Sequence, residues 1–459
     1  MRICLIFLPL LVTTATWAQS ADEALSDRAR RYLVDLIRLD TTNPPGNETR
    51  VANYLKQVCD SEGIPNELLG DDPARLNFVA RLKGSGKRRP LMLMAHSDVV
   101  PADPTQWTAD PFAALSRDGF LYGRGSQDDK SLLAAELAIL VDLKRRAVAL
   151  DRDLILLSEA DEEAGSLGIQ WLIANARGKI DAEFALNEGG RAIVTAAGRN
   201  IYQIQTTEKI PTRVVLVAHG TAGHGSLPRP DNPVVRLAHA ITRLAAADQP
   251  TRLNTTTRRY LREIAKLPEY DWLAPLIPRL ENPDSGNAAA GQIRNRDVEL
   301  DAMLRTTLSP TMLSAGTKIN VIPNTAEASI DVRRLPNETR DEVLDRLRAM
   351  VRDPAVELKG ASGQEMPATE PSGITTGLYR VMEKVIGNSA PGAMIIPYMS
   401  RGATDGAFLR QKGMDVYGVP LFQREEKESR AHGNDERISV ASLSAGTKLL
   451  MEIVLAAAR

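Results

Sequence analysis

The chain has 459 residues, of which 43% are hydrophobic and 25% charged, with a formal net charge of -1. That length predicts two or three domains with a large core, and so ordinary a composition excludes long disordered or fibrous architecture. The balance of 57 basic and 58 acidic residues, with 4% aromatic residues, supplies neither a global field for nucleic acid nor a surface on which bases could stack.

Residues 1–18 read as an export signal. Arg2 gives a positive start, Ile3 to Val12 an apolar run, and Thr16-Trp17-Ala18 a small residue suited to cleavage. About ten apolar residues are too few to cross ~30 Å of hydrocarbon, and no later stretch reads as a span. The expectation is a secreted or periplasmic protein, free of the membrane after cleavage behind Ala18. Cys4 leaves with the signal, and Cys59 alone cannot form an internal disulfide.

Two amphipathic helices are predicted next, Ala21 to Leu39 and Thr49 to Gly63, separated by the rigid turn Asp40-Thr41-Thr42-Asn43-Pro44-Pro45-Gly46. Strand-like apolar runs follow at Asn77 to Arg81, Leu91 to Ala95, Leu154 to Ser158 and Glu183 to Asn187. They alternate with helical stretches at Leu132 to Leu150 and Leu167 to Ala176, the pattern of an α/β sheet covered on both faces. After Gly190 the texture changes to alternating strands, Ile201 to Gln205 and Val214 to Val217, then a helix over Asn232 to Ala247, a strand over Ala326 to Arg333 and a helix over Arg340 to Arg352. This predicts an α+β unit inserted into the first domain. Asp248 to Ala315, rich in Pro, Asn and Arg, gives no clear pattern. Alternating α/β returns near Gly373 and ends in a helix, Val440 to Ala458. The expected division is a catalytic domain over 19–193 and 363–459, with a lid or dimerisation domain over 194–362 between its halves.

The chain contains five histidines. His96 follows the apolar strand Leu91 to Ala95 directly, in His96-Ser97-Asp98, and ligand sites in open α/β sheets lie at the carboxyl ends of strands. Asp98 is placed to orient the His96 ring. Carboxylates arrive at equivalent places: Asp128 and Asp129 in Gly123 to Lys130, Asp161 to Glu163 after the strand ending at Ser158, and Glu188 after Phe184 to Asn187. His432 lies in a loop before the last helix. Mixed His, Asp and Glu ligands gathered at one sheet edge suit zinc or a related hydrolytic metal.

These segments resemble, in order and over nearly the whole mature chain, those of the dizinc exopeptidase and amidohydrolase family that includes glutamate carboxypeptidase, carboxypeptidase S, aminoacylase and succinyl-diaminopimelate desuccinylase. The matching pieces are His96 to Val100, Gly123 to Lys130, Asp161 to Ser166, Glu188 to Gly190, Gly223 to Pro228, Lys318 to Asn324, Asp331 to Arg333, Gly402 to Asp405 and His432 to Glu436. The resemblance implies two Zn²⁺ per subunit, bridged by Asp128, with His96 and Glu188 on one ion and Glu163 and His432 on the other. It implies Glu162 as general base, Asp98 as partner of His96, and a cis peptide between Asp128 and Asp129. It makes the inserted unit a lid, with His224 stabilising the oxyanion and Asn320, Arg333, Gly402 and Thr404 binding substrate. The implied substrate is a small peptide or N-acyl amino acid cut beside a free carboxylate, and the implied assembly is a homodimer through the lid. His219 and His239 match no motif and are expected at structural or surface positions.

Overall fold

The computed structural model describes residues 13–360, 366–424 and 430–459. The apolar run of the expected signal, through Val12, lies outside the described residues. Thr13 to Ala18 form the first turns of a helix, Thr13–Ile37, which begins earlier than predicted and ends close to the expected Leu39.

A ten-stranded sheet forms the larger layer. At its centre Leu154–Glu159, Leu91–His96, Phe184–Asn187 and Asp415–Gly418 run parallel, while antiparallel pairings appear on either side. The sheet is mixed, with the expected parallel strands at its centre. The first three of these strands are buried at every residue, because helices cover both faces. Lys130–Arg145 is buried almost all round, wedged among the sheet, Thr13–Ile37 and Val440–Ala458. That last helix is, among the described residues, long and apolar enough to cross a membrane by length and composition. The sequence was expected to hold no such stretch. Its Leu450, Ile453 and Val454 are buried in the main core, which accounts for its apolar character.

The second sheet has four strands in the order Thr307–Ala315, Thr325–Arg334, Ile210–His219, Val356–Gly360, all antiparallel. Pro233–Ala246 and Arg340–Val351 pack on one face through Leu237, Ala240, Val343 and Leu347. Strict alternation along Thr325–Arg334 buries one face and leaves the other half open. Beside this sheet, Gly223–His224 pairs with Val321–Ile322 in a short ribbon.

Two expectations about the inserted unit change. The strands Arg191–Val194 and Asn200–Glu208 belong to the ten-stranded sheet, although their texture suggested the insertion. The second is buried over seven of its nine residues, with only its first three positions alternating. The reason lies in the segment that was unreadable from sequence. Thr255–Ile264, Ile277–Leu280, Gly286–Arg294 and Val298–Ala302 are short helices that pack Tyr260, Leu261, Leu280 and Ile293 against Ile201, Ile396 and Tyr398 of the large sheet. The helices therefore cover the large sheet, and only Thr307–Ala315 joins the small one, as its edge. That edge is exposed from Ser309 onward, with Met312 and Leu313 open to solvent.

Candidate active site

The parallel strands deliver their carboxyl ends to one rim. Leu91–His96 and Leu154–Glu159 pair in register His96 to Glu159, and Phe184–Asn187 lies beside them. His96 closes its strand, the turn carrying Glu162 and Glu163 follows the second, and Glu188 follows the third. Gly189, next to Glu188, has a positive φ of 98°, and a Cβ there would meet the Gln205 amide at 1.9 Å, so the turn requires glycine.

Asp128 sits between two imidazoles. Its Oδ1 is 3.0 Å from His96 Nε2, its Oδ2 is 3.2 Å from His432 Nε2, and the same His432 nitrogen is 3.0 Å from Glu163 Oε1. The peptide between Asp128 and Asp129 is cis. Two sets of donor atoms lie within 4.8 Å of one another: His96, Asp128 and Glu163, and His96, Asp129 and Glu188. Asp129 was read from sequence only as an acid of this turn, with no ligand role, and its Oδ2 is buried without a hydrogen-bond partner. Burial first, and then the Glu188 charge, push its carboxyl well above the ordinary range. The same two causes raise Glu162, while burial and the Asp128 charge push Glu188 up to about 8. Like charges about 5 Å apart cost roughly 3 kcal/mol per pair at an effective dielectric near 20. Several such pairs approach a whole domain's net stability, so protons or cations must share the cluster. Imidazole nitrogens with carboxylate oxygens are the donor set of zinc-type divalent ions, and these residues fit them.

Asp98 holds the cluster from behind. His96 Nδ1 is 3.0 Å from the Asp98 carbonyl oxygen and 3.5 Å from its carboxylate. The Asp98 carboxylate also accepts the N–H groups of Glu162 and Glu163, each at 3.1 Å, and the Asn43 amide at 2.8 Å. Burial opposes its charge, but His96, Asn43 and the Glu163 N–H hold it below the ordinary carboxylate value. Asn43 donates as well to Asp161, which Arg75 pairs with together with buried Glu48. Sequence reasoning saw the Asn43 turn only as a rigid connection.

Glu436 performs the equivalent task on the other side. Its carboxylate accepts Arg124 Nη1 at 2.7 Å and the backbone N–H groups of Gly125, Gln127 and Asp128 at 3.1, 2.7 and 3.1 Å. It therefore ties the Asp128 turn to the loop that carries His432. The residue stood inside a matching motif without a role. The signal was an acid beside an exposed loop histidine, facing a turn with glycines and one arginine.

Of the expected substrate residues, Arg333, Gly402 and Thr404 line one cavity of about 770 Å³ with Asp128, Glu162, Glu163, Glu188 and His432. The Gly402 N–H donates to Ser400 Oγ at 3.2 Å, and Thr404 Oγ1 accepts the Gly406 N–H at 3.2 Å. His224 and Asn320 do not line the cavity. They stand exposed at the ribbon, with His224 Nδ1 2.7 Å from Ser226 Oγ. His219 and His239 are exposed on the small layer, away from the cavity.

A rim of His, Asp and Glu at the carboxyl ends of parallel strands, facing a polar cavity, defines a metal-dependent hydrolase. Residues 92–456 match the model of "Peptidase family M20/M25/M40", and the chain belongs to that family. It is 30% identical over 374 residues to the human N-fatty-acyl-amino acid synthase/hydrolase PM20D1, covering 80% of this chain and 74% of the relative. It is likewise 30% identical over 313 residues to a probable succinyl-diaminopimelate desuccinylase of Staphylococcus aureus, with 68% of each chain covered. Among solved structures, the M20 metallo-carboxypeptidase Sso-CP2 of Sulfolobus solfataricus superposes with a TM-score of 0.72 at 22% identity, over 93% of this chain and 98% of that one.

Two outcomes test the geometry. Glu436→Ala leaves Arg124 and three N–H groups unpaired, so stability should fall by about 3–5 kcal/mol and metal content should fall with it. Denaturant melts and metal analysis of the purified variant check this; unchanged values would mean the turn is held otherwise. Loading the metal-free protein should release protons, because ligands bind deprotonated. Asp128 and Glu163 hold the His432 proton up to about 10, and burial holds that of Glu188 up to about 8. At pH 7 both are protonated, and His96, which Asp128 and Asp98 hold well above the ordinary imidazole value against its burial, carries a proton too, so more than two protons should leave, fewer as pH rises past 8 and then 10. Calorimetry in buffers of different ionisation enthalpy counts them.

Proposed function

We propose that the protein is an exported dizinc amidohydrolase that cuts an amide bond beside a free carboxylate, in an N-acyl amino acid or a short peptide. The observation that carries this reading is a single cavity lined both by the His and carboxylate cluster and by Arg333. An amide held there can present its carbonyl to the cluster and its terminal carboxylate to a guanidinium fork. The human relative's name, which specifies N-fatty-acyl-amino acids, supports the acyl-amino-acid form. The apolar start of the chain, with Ala18 as cleavage point, supports export.

In this reading Asp128, His96 and Glu188 would hold one ion, and Asp128, Glu163 and His432 would hold the other. When bound, the ions supply Lewis acidity to the scissile carbonyl and to water. Glu162 lines the cavity, and its carboxylate makes no hydrogen bond among the described residues. It takes the proton from the attacking water and returns it to the leaving amine. Asp98 fixes the His96 ring and, through two N–H groups, the turn that aims Glu162.

His224 and Asn320 belong to the reading through a partner copy. The lid edge and ribbon expose Met312, Leu313, Ile319 and Leu227, apolar surface that a lid-to-lid homodimer would cover. His224 then reaches the neighbour's cavity and donates to the oxyanion.

Glu162→Gln and Glu163→Gln separate chemistry from metal binding. The first should lower turnover of N-acyl amino acids or dipeptides by roughly two to four orders of magnitude while metal content stays the same. The second should lose metal and regain part of its activity at high zinc. The reading fails if neither slows turnover. Mixing inactive His224→Ala chains with inactive Glu162→Gln chains should restore some activity by pairing an intact His224 with an intact Glu162. No recovery after proven subunit exchange would place His224 outside the neighbour's site.

A further inference from the structure

Glu162 and Glu163 share one short turn, but their side chains are held unequally. Glu163 Oε1 lies 3.0 Å from His432 Nε2, whereas the Glu162 carboxylate makes no hydrogen bond among the described residues. The aim of Glu162 therefore depends on its backbone, and the residue before it is Asp161. Asp161 has a φ of 69°, a left-handed conformation that persists in a non-glycine residue only where its surroundings enforce it. It also closes the turn. Its carbonyl oxygen accepts the N–H groups of Gly165 and Ser166 at 3.2 and 2.5 Å, and its Oδ2 accepts that of Leu167 at 3.1 Å.

What enforces Asp161 is Arg75, 86 positions earlier. Arg75 Nη2 pairs with Asp161 Oδ1 and, at 2.9 Å, with Glu48 Oε1. Its Nε lies 3.3 and 3.2 Å from the two Glu48 oxygens, so the planar fork engages that carboxylate as a pair. Glu48 Oε1 accepts in turn the Asp161 N–H at 3.2 Å, and Asn43 Nδ2 donates to Asp161 at 2.9 Å and to Asp98 at 2.8 Å. Glu48 and Asp161 are both buried, and Arg75 is the cation they share. Glycine at position 46 leaves room for the pair. Its φ is 92°, and a Cβ there would lie 2.4 Å from Arg75 Nε and 2.6 Å from Glu48 Oε2. The loop carrying Arg75 is fixed as well: the Leu76 N–H donates to Thr49 Oγ1 at 2.9 Å, and the Thr49 N–H to the Ala74 carbonyl oxygen at 3.1 Å.

We infer that Arg75 is a positioning residue for hydrolysis: with Glu48 it locks the left-handed Asp161, and through Asp161 it sets the aim of Glu162. Arg75 does not line the cavity, so it acts only through this chain of contacts. The inference rests on the reading of Glu162 as general base. Without the guanidinium, two buried carboxylates lose their counterion, and the start of the turn moves. Glu163 keeps His432 at its side chain and Asp98 at its N–H, so the metal ligands outlast the change while Glu162 loses its aim.

The test is a double-substitution cycle on zinc-loaded full-length protein, with kcat and KM read on N-acetylleucine and leucylglycine. Arg75→Gln should lower kcat about ten- to hundredfold, the usual cost of losing a group that orients a catalytic one, while KM and zinc content stay close to the parent's. Arg75→Lys keeps the charge and should recover part of kcat. In a Glu162→Gln background, Arg75→Gln should cost little more, because the group it aims is already gone. The full loss again in that background overturns the inference, and so does a loss of kcat matched by lost zinc or by unfolding in thermal melts. An Arg75→Gln chain as fast as the parent, beside a slow Glu162→Gln chain, also overturns it and leaves the proposed reaction standing. A Glu162→Gln chain as fast as the parent overturns the base assignment and this inference with it. Where Arg75→Gln does not fold, Arg75→Gln with Glu48→Gln removes one acid together with the cation, and its comparison with Glu48→Gln alone gives the same reading. Hydrogen exchange needs no substrate. The amides of Glu162 to Leu167 should exchange faster in Arg75→Gln while those of Ser97 to Val99 do not change, and unchanged exchange in the turn overturns the inference.

Discussion

Mutual repulsion among buried carboxylates is the constraint on which the rest of this structure depends. Asp128, Asp129, Glu162, Glu163 and Glu188 converge with His96 at one rim, and burial raises Asp129, Glu162 and Glu188 towards their neutral forms. A fold gains nothing in stability from such a cluster. It persists because the surrounding structure fixes it: the parallel strands are buried end to end, so their carboxyl termini cannot shift independently. The cluster is thus a site whose energetic deficit is met by what binds there.

Two buried acids outside the cluster do the fixing. Asp98 gathers the His96 ring, the Asn43 amide and the N–H groups of Glu162 and Glu163. Glu436 gathers Arg124 and three N–H groups of the Asp128 turn. Each turns a flexible loop into a rigid support, and in both cases backbone N–H groups make up much of the shell. Backbone donors cost little side-chain entropy, so the support is stiff without being large. Neighbouring residues can consequently take separate roles: Glu163 faces His432, while the Glu162 carboxylate stays uncommitted.

Much of this was legible in the sequence, because an apolar run followed at once by His, Asp or Glu has few other meanings in an α/β chain. The strands at Leu91, Leu154 and Phe184 were recoverable for that reason, and so was the gathering of His96, Asp128, Glu163 and His432. What escaped depends on contacts between distant segments. Asp129 reads as an N-cap until Glu188 is brought beside it. Glu436 and Asn43 have meaning only through partners some 309 and 55 positions away. The helices between Thr255 and Ala302 are four to ten residues long and broken by Pro and Asn, too short for a helical period to stand out. Asn200–Glu208 was assigned to the wrong layer because alternation records which faces are wet, not which sheet a strand joins.

The division into two sheets then takes on a chemical meaning. The large sheet supplies the carboxylate cluster and Arg191, and the small sheet supplies Arg213 and Arg333 from one open face. The cavity is therefore lined from both layers, with carboxylates and guanidinium groups facing the same space. The short helices on the large sheet reach this lining too, since Glu299 pairs with Arg401 and fixes it in place. The small sheet can vary without disturbing the packing of the large one, because their cores are distinct clusters, whereas the short helices between Thr255 and Ala302 cannot, since they pack on Ile201, Ile396 and Tyr398 of the large sheet.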